Sequence, residues 1–96
     1  RLVSVRGIAV EAPLAGTMLV IRNDDQPGVI GEVGTILGRH GVNIANFALG
    51  RDGAEAVGVV NVDEDASPGG ALDTAVEAIR RVAAVRDAWV VRLPHA

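Results

Sequence analysis

Residues Val20–Asn46 read VIRNDDQPGVIGEVGTILGRHGVNIAN, and this stretch decides the fold of the chain. It begins with an apolar segment, passes through a polar loop to Pro27 and Gly28, and continues as an amphipathic segment that ends before Gly41. The apolar residues of that segment lie on one face at a period of 3.6 residues, namely Val29, Ile30, Val33, Ile36 and Leu37. Proline is tolerated in a first helical turn, and glycine commonly ends a helix. The stretch therefore predicts a strand, a loop, a helix over Pro27–Arg39 and a second strand.

The sequence on either side completes an alternating pattern of strands and helices. Segments rich in β-branched residues predict strands at Thr17–Asn23, Asn43–Gly50, Ala54–Asp63 and Val85–Leu93. The Asp52-Gly53 pair predicts a hairpin turn, and Ser67-Pro68 predicts the N-cap and first residue of a second helix at about Gly69–Ala83. From Thr17 the order is β-α-β-β-α-β. This order predicts an α+β fold of the ferredoxin-like class, with a four-stranded antiparallel sheet and both helices on one face.

The residues before Thr17 are predicted to form a separate element. Two β-branched runs, Leu2–Val5 and Ile8–Ala12, flank the Arg6-Gly7 pair and favour a β-hairpin. The alternatives are the end of a preceding domain, or an arm that is ordered only in a longer protein. We therefore divide the chain into residues 1–16, as a hairpin or arm, and residues 17–96, as the main domain.

Composition restricts the class of protein. The 96 residues suffice for one domain, and no apolar run approaches the roughly 20 residues that a membrane-spanning helix needs. The net charge is −3, with one Phe, one Trp and no Tyr, which argues against a nucleic-acid partner. The absence of cysteine excludes disulfides and thiolate metal sites, and a cytoplasmic location is the default. A mean hydropathy of +0.32 is high for a soluble chain, so we expect an oligomer or part of a longer protein.

Three glycines interrupt the predicted first helix. Each costs helix stability by about 0.5–1 kcal/mol relative to alanine, so their presence needs an explanation. Gly31, Gly34 and Gly38 line up beside the apolar face. The interpretation we favour is that another backbone, from a neighbouring helix or a partner subunit, packs closely there. A compositional drift towards glycine is the alternative.

The sequence carries no recognisable catalytic motif. It lacks the nucleophile-elbow, zinc-protease and phosphate-loop motifs. The adjacent carboxylates Asp24 and Asp25 are predicted to point apart on extended backbone, which is unsuitable for an acid–base pair. Of the two histidines, His40 is expected to contact the C-terminal end of the first helix and His95 to lie in a frayed tail. An independent enzyme is therefore not predicted, and no metal or cofactor is expected in this chain.

The loop from Asn23 to Gly28 is the candidate binding site. It follows the end of a central strand and precedes a helix N-terminus, where the free N–H groups of the first turn can bind a carboxylate. Asp25 can bind an ammonium group, and Asn23 and Asn43 provide both donors and acceptors. A carboxylate site beside an ammonium site suits a free α-amino acid. Alternatively, Asp25 only caps the helix and Asn43 only begins a strand.

The segment RNDDQPGVIGEVGTILGRHGVNIANFALGR resembles the opening of ACT domains, the amino-acid-sensing modules attached to metabolic enzymes. The resemblance extends from Thr17 to the end of the chain, with the D-x-P-G-V-I and G-V-N-I motifs as its most specific parts. The preceding segment, LVSVRGIAVEAPLAGTMLVIRN, is similar to the region that leads into the C-terminal ACT domain of bacterial D-3-phosphoglycerate dehydrogenases. Those enzymes are NAD-dependent, act in L-serine biosynthesis and are typically inhibited by L-serine.

This resemblance implies a regulatory homodimer in which L-serine or another small amino acid binds between two ACT domains. It assigns Asn23 and Asp25 of one chain, and Asn43 of the partner subunit, to the ligand. The full set of implied site residues is Asn23, Asp25, Pro27, Gly28, Val29, Ile30 and Asn43. Asn23 departs from the His or Tyr found at this position in some relatives. The alternatives are the ACT domain of an iron-sulfur L-serine dehydratase and a domain that only mediates subunit assembly.

Overall fold

The structure, a computed structural model, describes residues 1–94; His95 and the prediction of a frayed tail lie outside this range. The described part contains six strands and two helices, in the order β1 (Leu2–Val5), β2 (Ile8–Glu11), β3 (Thr17–Asp24), α1 (Val29–Arg39), β4 (Asn43–Asp52), β5 (Glu55–Asp63), α2 (Ala71–Arg80) and β6 (Val85–Arg92). Neither helix of the described part is long and apolar enough to cross a membrane.

Strands β3 to β6 form a four-stranded antiparallel sheet in the order β4-β5-β3-β6. Helix α1 connects the central strand β3 to the edge strand β4, and α2 connects β5 to the other edge strand, β6. The two helices cover one face of the sheet and contact each other. The predicted ferredoxin-like βαββαβ fold is therefore confirmed.

The main core lies between the helices and the sheet. The apolar face predicted for the first helix points into it, except that Ile30 is exposed and the prediction for this residue is wrong. The largest fully buried side chains of this core are Leu19, Ile21, Val33, Leu37, Val60 and Ile79. Burying one such side chain contributes about 1.5–3 kcal/mol. This core fixes α1 over the sheet, and with it the position of the loop between β3 and α1.

The N-terminal segment is a β-hairpin, as one of the three sequence alternatives proposed. Its strands β1 and β2 pair antiparallel through the Arg6-Gly7 turn. The hairpin packs on the sheet face opposite the helices and forms a second apolar cluster, made of Ile8, Val10, Ala12, Met18, Val20, Val57 and Val59. The sheet is thus buried on both faces where the hairpin lies. This explains why β5 reads as a continuous apolar run rather than an alternating one.

A buried asparagine fixes the end of the hairpin segment to the sheet. Asn61, on the hairpin side of β5, is 6 % exposed. Its Nδ2 donates to the carbonyl of Pro13 at 2.8 Å, and its Oδ1 accepts a longer hydrogen bond of 3.4 Å from Asn46. Because a buried amide is costly unless hydrogen-bonded, these contacts favour one docked position of the hairpin.

Both helices begin later than the sequence predicted. Helix α1 starts at Val29, because Gly28 is its N-cap in the left-handed conformation with φ 88°. A side chain with a Cβ atom is strained at this φ, so glycine is favoured at position 28. Helix α2 starts at Ala71 after Gly70, so the prediction of Ser67 as N-cap and Pro68 as first helical residue is wrong. The Ser67 hydroxyl instead donates to the carbonyl of Asp63 and accepts from the N–H of Asn43.

The glycines of α1 have no close neighbour within the described chain. A methyl group added at Gly31, Gly34 or Gly38 would meet no atom within 4 Å outside the local helix backbone. Within residues 1–94, therefore, no backbone packs against this row. The predicted close contact with another subunit stays a prediction.

Candidate ligand-binding site

A surface cavity of about 360 Å³ lies where the end of β3, the start of α1 and the edge strand β4 meet. The residues that line it are Asn23, Asp25, Gln26, Pro27, Gly28, Ile30, Leu49, Arg51 and Ala56. Its floor follows one row of the sheet, because Ala56 on β5 pairs with Asn23 on one side and with Arg51 on the other.

Asn23 is the buried polar group of the cavity. Its side chain is 2 % exposed, and its Nδ2 donates to the carbonyl of Asp24 at 2.9 Å. Its Oδ1 is buried and has no hydrogen-bond partner. A buried acceptor without a donor costs about 1–3 kcal/mol, so such atoms are uncommon unless a ligand or water supplies the donor. Asn23 therefore holds an unsatisfied acceptor in the wall of the cavity.

Asp25 provides the negative charge of the cavity, and Arg51 lies beside it. Nε of Arg51 is 3.0 Å from Oδ2 and 3.2 Å from Oδ1 of Asp25. The preceding carboxylate, Asp24, points to the other face of the sheet and forms its ion pair with Arg86. The prediction that the two carboxylates point apart is confirmed. The structure does not support the alternative in which Asp25 caps the helix, because the N–H of Gln26 donates to the carbonyl of Asp24 and the Asp25 carboxylate pairs with Arg51.

The N-terminus of α1 provides donors at the opposite end of the loop. The first hydrogen bond of the helix joins the N–H of Glu32 to the carbonyl of Gly28. The preceding N–H groups of the first turn, on Val29, Ile30 and Gly31, have no intrahelical acceptor. Together with the positive end of the helix dipole, these groups favour a bound anion. The start of α1, through Gly28 and Ile30, thus lines the same cavity as the carboxylate of Asp25.

The structure brings most of the predicted site residues together. Five of them line the cavity, namely Asn23, Asp25, Pro27, Gly28 and Ile30. The side chain of Val29 points into the core at 4 % exposure, so only its main chain can serve the site. Asn43 is exposed at the opposite end of the ten-residue strand β4, roughly 25 Å from Arg51 at the usual rise of a strand. Its assignment to a site on a partner subunit stays a prediction.

Four lining residues were not among the predicted site residues, namely Gln26, which lies within the predicted loop, and Leu49, Arg51 and Ala56, which lie outside it. The signal that could have found three of them is the register of the β4–β5 hairpin. The turn after Asp52 fixes which residues of β4 and β5 face each other, and alternate residues of each strand share a face of the sheet. Leu49, Arg51 and Ala56 follow from that register once Asn23 is placed on the same face.

A second cavity, of about 370 Å³, lies at the other end of the sheet and is lined by charged groups that already pair with one another. Glu64 accepts hydrogen bonds from the Thr17 hydroxyl and from Arg92, whose Nε and Nη2 are both 3.0 Å from the carboxylate. Arg92 also lies 3.6 Å from Asp73. This network joins β3, β6 and the start of α2, and we interpret it as structural.

We expect Glu64→Gln to reduce the pH dependence of stability in acid. The hydrogen bond from Arg92, followed by that from Thr17, lowers the pKa of the Glu64 carboxyl below its ordinary value of 4.5. A lowered pKa in the folded state stabilises the fold above pH 4.5, and this contribution disappears as the pH falls through the folded-state pKa. Urea unfolding at pH 7 and at pH 3 should show a wild-type advantage, below about 1 kcal/mol for so exposed a pair, that is smaller at the lower pH. An equal difference at both pH values would contradict this assignment.

The fold and the cavity together define a small ferredoxin-like α+β domain with a polar site at the start of its first helix. The sequence model of the ACT domain family matches residues 17–84, which is more than half of the chain, and the chain belongs to the ACT domain family. The prediction made from the D-x-P-G-V-I and G-V-N-I motifs is confirmed.

The chain is similar to parts of several curated proteins named D-3-phosphoglycerate dehydrogenase. The relative from Synechocystis sp. is 35 % identical over 97 % of the chain, and that from Methanocaldococcus jannaschii is 31 % identical over 96 %. A third, from Mycobacterium leprae, is 38 % identical over 82 % of the chain. The aligned regions are 16 %, 17 % and 15 % of these relatives' own lengths. The chain therefore corresponds to a small part of each relative.

Two solved structures of the ACT domain from a GTP pyrophosphokinase of Chlorobium tepidum have the same fold. The crystal structure superimposes with a TM-score of 0.62 at 15 % identity, covering 80 % of this chain and 97 % of that one. The solution structure gives a TM-score of 0.61 at 17 % identity, with coverages of 83 % and 90 %. At these identities the similarity concerns the fold alone.

Proposed function

We propose that this chain is a regulatory domain that binds L-serine, or another small α-amino acid, and controls a D-3-phosphoglycerate dehydrogenase of which it is a part. The observation that carries the proposal is the composition of the cavity beside α1. Asp25, Asn23, and Gly28 and Ile30 at the start of α1 all line one cavity, and the Oδ1 of Asn23 has no hydrogen-bond partner. These groups are complementary to an ammonium, a carboxylate and a donor such as a hydroxyl. L-Serine carries all three.

The names of the curated relatives support the choice of parent enzyme. In such a protein the remainder of the chain would carry an NAD-dependent oxidoreductase of L-serine biosynthesis, working in the cytoplasm, while this domain senses the end product. Sequencing the gene upstream of Arg1 tests the parent directly. A dinucleotide-binding region there supports the dehydrogenase, and cysteines of an iron-sulfur cluster would instead indicate an L-serine dehydratase.

We also propose that the ligand site is completed in a homodimer. Strand β4 is an edge strand, and one row of its backbone groups has no partner within the described residues. If two copies pair through β4 about a twofold axis, the two strands run antiparallel, and the start of one lies next to the end of the other. Such pairing would bring the partner's Asn43 towards the Arg51 end of the cavity. This arrangement is the reason for keeping Asn43 among the proposed ligand contacts.

A ligand held between two subunits regulates by favouring one dimer arrangement. It shifts the equilibrium only by its difference in affinity for the two arrangements, typically about 1–3 kcal/mol of coupling. The direct test of the proposal is calorimetric titration of the chain with L-serine, with the dimer confirmed by light scattering. D-Serine is the control for the configuration at Cα, and L-alanine is the control for the hydroxyl group. A dimer that binds none of these ligands would indicate a domain with an assembly role only.

Replacing Gly34 by alanine should separate the intrinsic stability of α1 from its proposed role at the dimer interface. In a monomer the added methyl group meets open space, so the free energy of unfolding should rise by about 0.5–1 kcal/mol. If α1 packs on a partner subunit, the same methyl group should raise the dimer dissociation constant. Urea unfolding at low protein concentration measures the change in stability, and sedimentation equilibrium measures the dimer dissociation constant. Gly69→Ala, in an open loop, is the control, and an unchanged dissociation constant would remove the glycine row from the interface.

A further inference from the structure

Arg51 is the charged group of the cavity to which sequence and family give no role, and its geometry is specific. Only its Nε engages Asp25, at 3.0 and 3.2 Å from the two carboxylate oxygens. Among the described residues, its two terminal nitrogens have no hydrogen-bond acceptor. The guanidinium side chain is 63 % exposed and lines the cavity. It therefore holds unused donors at the edge of the space that Asp25 and Asn23 border.

The position of Arg51 is fixed by the sheet rather than by its own flexible side chain. Arg51 pairs with Ala56, and Ala56 pairs with Asn23, so the arginine and the buried asparagine are at opposite ends of one row. The Oδ1 of Asn23 lies buried at the inner end without a donor. This orphaned acceptor is independent of the ion pair, and it leaves the inner end of the row in need of a hydrogen-bond donor.

The charges of the cavity make an amino acid a better occupant than an amine. An ammonium group that approaches Asp25 also approaches the guanidinium of Arg51, and like charges at that distance repel. A carboxylate on the same ligand removes this conflict, because it can accept from the terminal nitrogens of Arg51 in a planar, two-bond geometry. One ion pair is then replaced by a four-charge arrangement in which every charge has an opposite neighbour.

We propose that Arg51 is a specificity-determining residue that binds the carboxylate of the ligand through its terminal nitrogens and so selects zwitterionic α-amino acids. The proposal deepens, and rests on, the proposed function of this site. It divides the recognition between Asp25 for the ammonium, Arg51 for the carboxylate and Asn23 for a donor on the ligand. The N–H groups at the start of α1 then assist the carboxylate rather than hold it alone.

The test compares two ligands on matched variants of the chain. L-Serine and L-serine amide differ at the carboxylate, and each is titrated calorimetrically against the wild type, Arg51→Met, Arg51→Lys and Arg86→Met. Arg86 is the matched control, because it is 62 % exposed and pairs with Asp24 on the other face of the sheet. We expect Arg51→Met to weaken L-serine binding about tenfold or more while changing amide binding less than about twofold. Arg51→Lys should restore part of the loss, and Arg86→Met should change neither ligand.

The possible outcomes separate this inference from the proposed function. If the wild type binds L-serine and Arg51→Met binds it equally well, or loses both ligands to the same extent, Arg51 does not recognise the carboxylate and the amino-acid site stands without it. If the wild type binds neither ligand, the proposed function itself is wrong, and the role of Arg51 falls with it. Circular dichroism of Arg51→Met should match the wild type, since an exposed ion pair contributes little to the fold.

Discussion

Gly50→Ala is expected to detach the N-terminal hairpin from the sheet. A methyl group at this position of β4 would overlap the backbone carbonyl of Ala9 and would lie only 2.8 Å from Cγ2 of Val10. Backbone cannot yield as a flexible side chain does, so the whole hairpin must move away from the sheet. We expect the free energy of unfolding to fall by about 1–3 kcal/mol, the usual range for overpacking.

Hydrogen exchange measures this effect where it should occur. The amides of β1 and β2 should lose most of their protection in Gly50→Ala, while those of the central strand β3 that face β6 should lose only as much as the global free energy of unfolding falls. Gly31→Ala is the matched control, because it adds the same methyl group where no atom lies within 4 Å. The control should leave the hairpin amides unchanged. Wild-type protection of β2 in Gly50→Ala would contradict the close packing described here.

The hairpin shows what local sequence patterns leave undetermined. The two β-branched runs around Arg6-Gly7 predicted its strands, but nothing in them indicated where it would dock. That depends on contacts distant in sequence, such as Val10 against Gly50 and Pro13 against Asn61. For this reason the sequence patterns did not predict what covers the sheet face opposite the helices. Only the assembled sheet places Met18 and Val59 opposite the hairpin.

The main fold, by contrast, follows from short-range signals that agree with one another. The 3.6-residue period after Gly28 and the Asp-Gly turn after β4 each specify one element, and the right-handed crossover orders them. The errors occur at helix boundaries: both helices begin later than predicted, and α2 ends at Arg80 rather than at Ala83. Ser67 and Pro68 form a good N-cap pattern, yet the helix begins after Gly70. The Ser67 hydroxyl instead hydrogen-bonds to the carbonyl of Asp63 and to the N–H of Asn43.

Part of the candidate site could likewise be predicted from the sequence, and part could not. The loop residues Asn23, Asp25 and Gly28 could be predicted, since strand end, loop and helix start are contiguous in the chain. Arg51 and Ala56 could not be found by motif, because they join the site across three strands. Their contribution depends on register, which a pattern of single strands specifies only after the pairing is known.

Asp25→Ala is expected to produce the largest loss of ligand binding among single substitutions at the site. Asp25 is the carboxylate proposed to pair with the ligand's ammonium, and losing a hydrogen bond to a charged group costs about 1.5–3 kcal/mol. The affinity for L-serine should therefore fall roughly 10- to 150-fold. Inhibition of the proposed parent dehydrogenase by L-serine should weaken in the same proportion. Calorimetry on the chain and inhibition assays on the full enzyme measure the two effects.

Asp24→Ala is an unusually close control, because the neighbouring carboxylate differs from Asp25 mainly in the face of the sheet to which it points. Both aspartate side chains are 30 % exposed, and their arginine partners are 62 % and 63 % exposed. Each substitution removes one negative charge and one exposed ion pair, so both should change stability by less than about 1 kcal/mol. Only Asp25→Ala removes a group from the cavity. Equal effects of the two substitutions on L-serine affinity would mean that the ligand responds to net charge rather than to this site, and the amino-acid site would have to be sought elsewhere.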